Sequence, residues 1–236
     1  MTEKQKAVVI LSGGLDSTTC MAVAKHRGFE IWPLTFFYGQ KHSIELESAK
    51  KVVQAYGLKE RHFIANLNGI IRGSSLTDED KEIPLDRSEE EMSKEIPNTY
   101  VPARNIIFLS IALSYAESID ARAIFIGVNA LDYSGYPDCR PEFIRAFQEV
   151  INKGTVAGAH GKGIRIETPL ENMTKGDIVR LGMELHAPLE LTHSCYSGTH
   201  PSCGMCDSCQ LRIKGFKEAG IIDPIPYAID IDWEVK

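Results

Sequence analysis

The chain has 236 residues, 43% of them hydrophobic and 25% charged, with a formal net charge of −6. That length suits one large α/β domain or one domain with a small appendage, and the acidic balance argues against a protein that grips a nucleic-acid backbone over a wide surface. No apolar run approaches the ~20 residues that cross a bilayer and the first six residues carry no targeting pattern, so a cytoplasmic protein without membrane contact is expected.

The elements follow in chain order. Ala7-Val8-Val9-Ile10-Leu11 is short, β-branched and without alternation, which predicts a strand buried on both faces. Ser12-Gly13-Gly14-Leu15-Asp16-Ser17 follows at once, and Thr18 to His26 predicts a helix. A strand, a Gly-rich turn and a helix N-terminus together present free N–H groups and a positive dipole end to an anion. The glycines let the backbone approach a phosphate, the hydroxyls of Ser12, Ser17 and Thr18 add donors, and Asp16 can hold a Mg²⁺ on that phosphate. The turn has neither the Gly-x4-Gly-Lys-Ser/Thr nor the Gly-x-Gly-x-x-Gly pattern.

Glu30 to Phe37 predicts a second strand, ending in a polar loop at Tyr38 to His42. Ser43 to Tyr56 predicts a helix stopped by Gly57. Arg61 to Ala65 predicts a third strand. Residues 66–99 break the pattern: Ser74 to Glu95 is polar and acidic, and reads as a solvated surface excursion or, more sharply, a lid. Ile106 to Ile119 predicts an apolar helix, Ala123 to Val128 a buried strand, Glu142 to Lys153 a helix, and Ile164 to Thr168 a strand. Thr174 to Met183 predicts a helix with Thr174 as N-cap and Asp177 at N3. Repeated strand–helix alternation predicts a doubly wound, mostly parallel sheet with right-handed crossovers. Ligands of such sheets bind beyond the C-terminal strand ends. There the chain supplies Arg104, Asp132, Asp138 and Arg140, with Lys175 at the start of the last predicted helix; Phe36, Tyr38 and Tyr133 are candidates to stack on a base.

Cys195, Cys203, Cys206 and Cys209 form a Cys-x7-Cys-x2-Cys-x2-Cys cluster. In a cytoplasmic protein disulfides are disfavoured, and four thiolates make a complete tetrahedral set for a structural Zn²⁺. An Fe–S cluster and a redox dithiol are the other chemistries for this pattern. Gly204 eases the turn between the last three. The segment is poor in core residues, so metal binding would supply its folding free energy. Cys20 reads as a small core residue, and Cys139 as a loop thiol with no dedicated base beside it.

Ser12 to Ser17 resembles the SGGxDS signature of the PP-loop ATP pyrophosphatases, which cleave ATP between the α and β phosphates. With Leu11 to Cys20, Tyr38-Gly-Gln-Lys-His42, Val101-Pro-Ala-Arg-Asn105, Gly135-Tyr-Pro-Asp-Cys-Arg140, Thr168-Pro-Leu170 and the four-cysteine tail, the chain resembles the 7-cyano-7-deazaguanine synthase family of that superfamily. The matching pieces run in family order over nearly the whole chain; Ala103 stands where many members carry Gly. The resemblance implies a Rossmann-like fold of the PP-loop/HUP type with a small C-terminal zinc module built on the four cysteines. It implies an ATP-binding domain over 1–190, with 66–99 as its acidic insertion or lid, and a zinc-binding segment over 191–236 packed on it.

What the resemblance implies for function is ATP-dependent conversion of 7-carboxy-7-deazaguanine and ammonia into the 7-cyano compound, through an adenylated carboxylate and then an adenylated amide. Two ATP give AMP and pyrophosphate. ATP would contact Leu11, Ser12, Gly13, Gly14, Leu15, Asp16, Ser17, Thr18, Thr19, Cys20 and Met21. Asp16, Lys175, Arg104, Asp132, Asp138 and Arg140 are the candidate catalytic residues. One structural Zn²⁺ per chain, Mg²⁺ with ATP, and a homodimer complete the expectation. Another PP-loop adenylating enzyme, either an amide-forming synthetase or a tRNA-modifying enzyme, is the alternative within the superfamily. A zinc adaptor on a nucleotide-sensing domain is the alternative outside enzymes.

Overall fold

The computed structural model describes residues 4–41, 43–78, 80–94, 96–129 and 136–233. The chain opens with β1 (Lys6–Ile10), α1 (Leu15–His26), β2 (Glu30–Phe37), α2 (Ile44–Ala55) and β3 (Phe63–Asn66). It continues with α3 (Glu89–Lys94), α4 (Arg104–Ser118), β4 (Ala123–Phe125), α5 (Pro141–Gly154), α6 (Val156–Ala159), β5 (Arg165–Glu167), α7 (Lys175–Glu184) and α8 (Asp207–Ala219). Among the described residues the strands form one sheet in the order β3-β2-β1-β4-β5, with every pair parallel. The order reverses between β1 and β4, and a doubly wound sheet opens a ligand crevice at that point.

β1 explains the two cores. Its side chains alternate faces, so Val8 and Ile10 join one buried cluster and Ala7, Val9 and Leu11 the other. The first cluster is roofed by α4 and α5 through Phe108, Leu109, Ala112, Ile144 and Phe147. The second takes Cys20 and Met21 from α1, Val52 and Val53 from α2, and Ile178 and Val179 from α7. Helices on both faces leave every central strand apolar, which is why none reads as alternating. No helix among the described residues is long and apolar enough to cross a membrane.

The sequence expectations for β2 and for the Thr174–Asp177 capping box match the structure. Two expectations need revising. The acidic segment is anchored, not merely solvated. Ser74 and Ser75 are buried, Leu85 forms an isolated antiparallel bridge with Cys206, and Arg87 pairs with Asp207. The C-terminal segment, expected to be poor in core residues, contains α8. That helix runs from a Cys206 N-cap to Gly220 in the left-handed conformation and buries Ile213 and Phe216, the latter in the second cluster.

α8 and α7 approach closely because both carry glycine at the contact: a Cβ on Gly176 would lie 2.8 Å from Glu218 Cβ, and one on Gly215 would lie 2.5 Å from Lys175 Cγ. Arg212 of α8 is fully buried and fully partnered. Its Nε and Nη2 donate to the two Asp223 oxygens at 2.7 and 2.9 Å, and its Nη1 donates to Thr192 Oγ1 at 2.7 Å. Tyr227 donates to the same carboxylate at 2.7 Å. This pair ties α8 both to the chain entering the cysteine cluster and to the chain leaving it. Asp223→Ala leaves Arg212 charged and unpaired in the interior, so unfolding in urea is expected to show a loss of about 3–5 kcal/mol.

Candidate functional site

The turn after β1 is held in shape by its own hydroxyls. Ser17 Oγ accepts from the Ser12 amide at 3.2 Å and donates to Gly14 O at 3.2 Å, while Ser12 Oγ accepts from the Gly14 amide at 3.3 Å. Gly13 has φ +88°, and a Cβ there would stand 2.5 Å from Ala49 N and Glu45 O of α2, so only glycine fits. Gly14 caps α1 without any side-chain bond. The amides of Leu15, Asp16 and Ser17 therefore begin a helix whose positive end is left open to a ligand.

Lys175, the first residue of α7, donates to both Asp16 oxygens at 3.0 and 2.8 Å. Its stem lies in the space left by Gly215 of α8. Ser12, Gly14, Leu15, Asp16, Ser17 and Lys175 line a cavity of about 270 Å³ at the β1/β4 switch point. Gly127, just beyond β4, borders it; a Cβ there would stand 3.1 Å from the Asp16 and Ser17 backbone.

Another wall of the cavity is aromatic and cationic. Phe36 and Phe108 stack with centroids 3.9 Å apart and planes 5° from parallel, and Tyr38 tilts against Phe108. The half-buried Arg104, first residue of α4, lies over the Phe108 ring, and its charge acts on the Tyr38 hydroxyl, whose burial nevertheless raises it above its ordinary value. Ala103 precedes it with φ 54°, a left-handed conformation that glycine adopts more cheaply.

The remaining expected site residues divide. Thr18, Thr19, Cys20 and Met21 are fully buried on the core side of α1 and line no part of this cavity. Of the stretch 11–21, Leu11, Ser12, Gly14, Leu15, Asp16 and Ser17 line the cavity, while Thr18 to Met21 are enclosed because α1 is packed on nearly every side, with Leu15 and Thr18 to Ala24 all buried. Burial drives the Cys20 thiol well above its ordinary value. Asp138 is buried beneath the α4 N-terminus, where its Oδ2 accepts from the Asn105 amide at 3.0 Å. It serves as a cap supplied from a distant loop. Arg140 is exposed at the start of α5, outside the cavity. Asp132 and Tyr133 lie outside the described residues. Cys139 borders the cavity, but burial pushes its thiol up to about 11, which disfavours a thiolate nucleophile. Glu45 and His193 also line the cavity; the sequence singles out no role for Glu45, and His193, with His200, reads there only as a possible substitute for one cysteine ligand. A Glu in the first turn of an amphipathic helix reads as solvated, and a lone His beside a cysteine cluster reads as a spare ligand.

The four cysteines converge, with Sγ atoms within 4.8 Å of one another and Cys203 Sγ 3.9 Å from Cys209 Sγ. A tetrahedral ion with 2.3 Å metal–sulfur bonds needs sulfurs about 3.8 Å apart. Backbone amides of Cys203, Tyr196, Met205 and Cys206 donate to these sulfurs at 3.3–3.4 Å, the arrangement that stabilises thiolates. Hydrogen bonds from Cys206 and Cys209 pull the Cys195 thiol down, while bonding to Cys195 pushes Cys206 up to about 12. A divalent ion removes that competition by ionising all four. At Gly204, φ is +79° and a Cβ would strike Ile229 at 2.6 Å, so the turn between these ligands also requires glycine. The cluster reaches the phosphate-type turn directly: the His193 amide, two residues before Cys195, donates to Gly13 O at 2.9 Å.

Comparison with known proteins places this geometry. The model of the family described as queuosine biosynthesis protein QueC matches residues 6–220. The chain is similar to the 7-cyano-7-deazaguanine synthase of Acetivibrio thermocellus, 58% identical over 223 residues, which are 94% of this chain and 98% of the relative. It is similar to that of Oceanobacillus iheyensis, 56% identical over 229 residues, 96% of this chain and 100% of the relative. It is also similar to that of Thermosynechococcus vestitus, 53% identical over 230 residues, 97% of this chain and 98% of the relative. One measurement checks the metal assignment. Cys206→Ser is expected to strip one bound ion per chain, and a loss of about 3 kcal/mol would lower the thermal midpoint by about 6–12 °C; a chelator should do the same to the unaltered protein.

Proposed function

The chain belongs to the queuosine biosynthesis protein QueC family, and on that premise we propose that it makes 7-cyano-7-deazaguanine from 7-carboxy-7-deazaguanine and ammonia at the expense of ATP. The observation that carries this reading is a single cavity with an uncapped helix N-terminus and a lysine on one wall, and a guanidinium with a stacked aromatic pair on another. The first suits the phosphates of ATP; the second suits a planar base that bears a carboxylate.

The chemistry needs both. A carboxylate is a poor acyl donor because its leaving group is oxide. Attack of the substrate carboxylate on the α-phosphate gives the acyl adenylate and releases pyrophosphate. The Ser12–Ser17 amides and Lys175 neutralise the charge that builds on the departing pyrophosphate. Arg104 positions the carboxylate bidentately, and the Phe36–Phe108 pair walls the base. Ammonia displaces AMP to give the amide. A second adenylation, on the amide oxygen, lets AMP leave again and produces the nitrile. A Mg²⁺ bound with ATP would be held by Asp16 and would neutralise phosphate charge. The four-cysteine site fits Zn²⁺ in a closed structural role, and no step runs through it. Support for the reading comes from near-complete coverage of relatives that carry this name. A cytoplasmic homodimer without nucleic-acid contact accompanies it.

Mass spectrometry of a reaction containing the acid, ATP and ammonium is expected to find the nitrile with AMP. Pyrophosphate release should depend on the acid; release that is independent of it would overturn the reading, and an amide that accumulates without nitrile would mean an amide synthetase. Lys175→Ala is expected to lower kcat for that release by about 10²–10³, the usual effect of deleting one electrostatic donor.

A further inference from the structure

A second, smaller cavity of about 20 Å³ adjoins the first, space for one water-sized molecule. Six residues line both: Tyr38, Gln40, Glu45, Leu76, His193 and Tyr196. The shared wall carries two acceptors with nothing to accept. The Glu45 carboxylate makes no hydrogen bond or ion pair among the described residues. His193 is 95% buried (5% exposed), and its Nε2 has no partner. Nε2 is thus a buried nitrogen on the cavity wall that no described residue reaches.

A carboxylate, an imidazole lone pair and two tyrosines around a one-molecule cavity are the surroundings of a small cation that has only donors. Ammonium is such a cation, and it is the form in which ammonia exists at neutral pH. We propose, resting on the function above, that the small cavity binds ammonium and that Glu45 is the base that converts it into the nucleophile. Ammonium is held by Glu45 and by His193 Nε2. One proton passes from nitrogen to the Glu45 carboxylate and frees the lone pair. The ammonia crosses the shared wall and attacks the acyl carbon of the adenylate. The C–N bond forms, the C–O bond to AMP breaks with its electron pair on AMP, and the second proton leaves the nitrogen for solvent. Glu45 then returns its proton to solvent.

The charged and titratable groups facing Glu45 set its basicity. They are Arg104 on α4, Tyr38 after β2, and His193 and Cys195 before the thiol cluster. Lys41, also on the small cavity, spends its ammonium on Lys81 O. Burial, partly offset by Arg104, pushes the Glu45 carboxyl up to about 7, so it is a base matched to neutral pH.

Hydroxylamine separates this role from the rest of the site, because it is already neutral near pH 7 and needs no deprotonation. With the acid and ATP, Glu45→Gln is expected to lose about tenfold or more in kcat/KM for ammonium, a loss that shrinks at alkaline pH where free ammonia is present. Hydroxamate formation from hydroxylamine should fall by less than about threefold, which also proves the variant folded. Equal losses with both nucleophiles would overturn the assignment. The unaltered protein gives a second test free of folding effects. Between about pH 7 and 8.5, KM expressed as ammonium should fall by no more than about twofold, as Glu45 completes its ionisation, whereas KM expressed as free ammonia should rise by more than about tenfold; constancy of KM expressed as free ammonia would overturn the cation site. If the unaltered protein forms neither nitrile nor hydroxamate, the function itself fails, a result distinct from all of these.

Discussion

Nothing fits between the α-carbon of Gly13 and the first turns of α2. That close approach, with a hypothetical Cβ 2.5 Å from Glu45 O and Ala49 N, fixes the turn after β1 from one side. The His193 amide fixes it from another by donating to Gly13 O, and Gly127 closes in beside Asp16. A turn held on three sides arrives at its ligand already shaped, and little ordering entropy remains to be lost on binding. The same contact has a second consequence. The backbone atom that excludes a side chain at Gly13 belongs to Glu45, so the phosphate-type turn and the acidic wall of the cavity are set by one packing event.

The cysteine cluster is tied into this arrangement through two covalently short links. His193 precedes Cys195 by two residues, and Cys206 caps α8. α8 in turn offers Gly215 to the stem of Lys175 and buries Arg212 against Asp223. An ion in the cluster would therefore act at a distance on the position of Lys175 and of the turn itself, through rigid elements and not through its own chemistry. The acidic insertion adds a strap to the same lobe by way of Leu85 and Arg87.

Which parts were legible in the sequence follows from the range of the interactions. The turn, the strand–helix alternation, the capping box and the four thiols are encoded within a few residues of one another, and each stands where the sequence places it. What escaped is encoded by partners far apart in the chain. Asp138 accepts from the Asn105 amide, 33 positions away, a capping role that no local pattern announces. Glu45 looks solvated until the lobe carrying His193 folds over it. α8 gave two local signals, Asp207 in its first turn and Gly220 as its stop, but its apolar face is broken by Arg212, whose partner is visible only in three dimensions. Thr18 to Met21 are enclosed because α1 is packed by the sheet on one side and by α7 on another, a burial that no local pattern of the helix announces.

Glu45 and Arg104 also settle a problem of order that any acid-activating site faces. The substrate enters as a carboxylate, and an ionised Glu45 on the same wall would repel it. A carboxyl raised to about 7 is protonated in a large fraction of molecules at neutral pH, and Arg104 attracts the incoming charge. Adenylation then removes the substrate's negative charge from the acyl carbon. With that neighbour gone, ionising Glu45 costs less, and the base becomes available at the step that consumes ammonium. In the proposed scheme the site thus needs no moving part to keep the nucleophile from preceding its electrophile. The like-charge repulsion between two carboxylates supplies the sequence of events, and the burial of Glu45 sets the pH at which it operates.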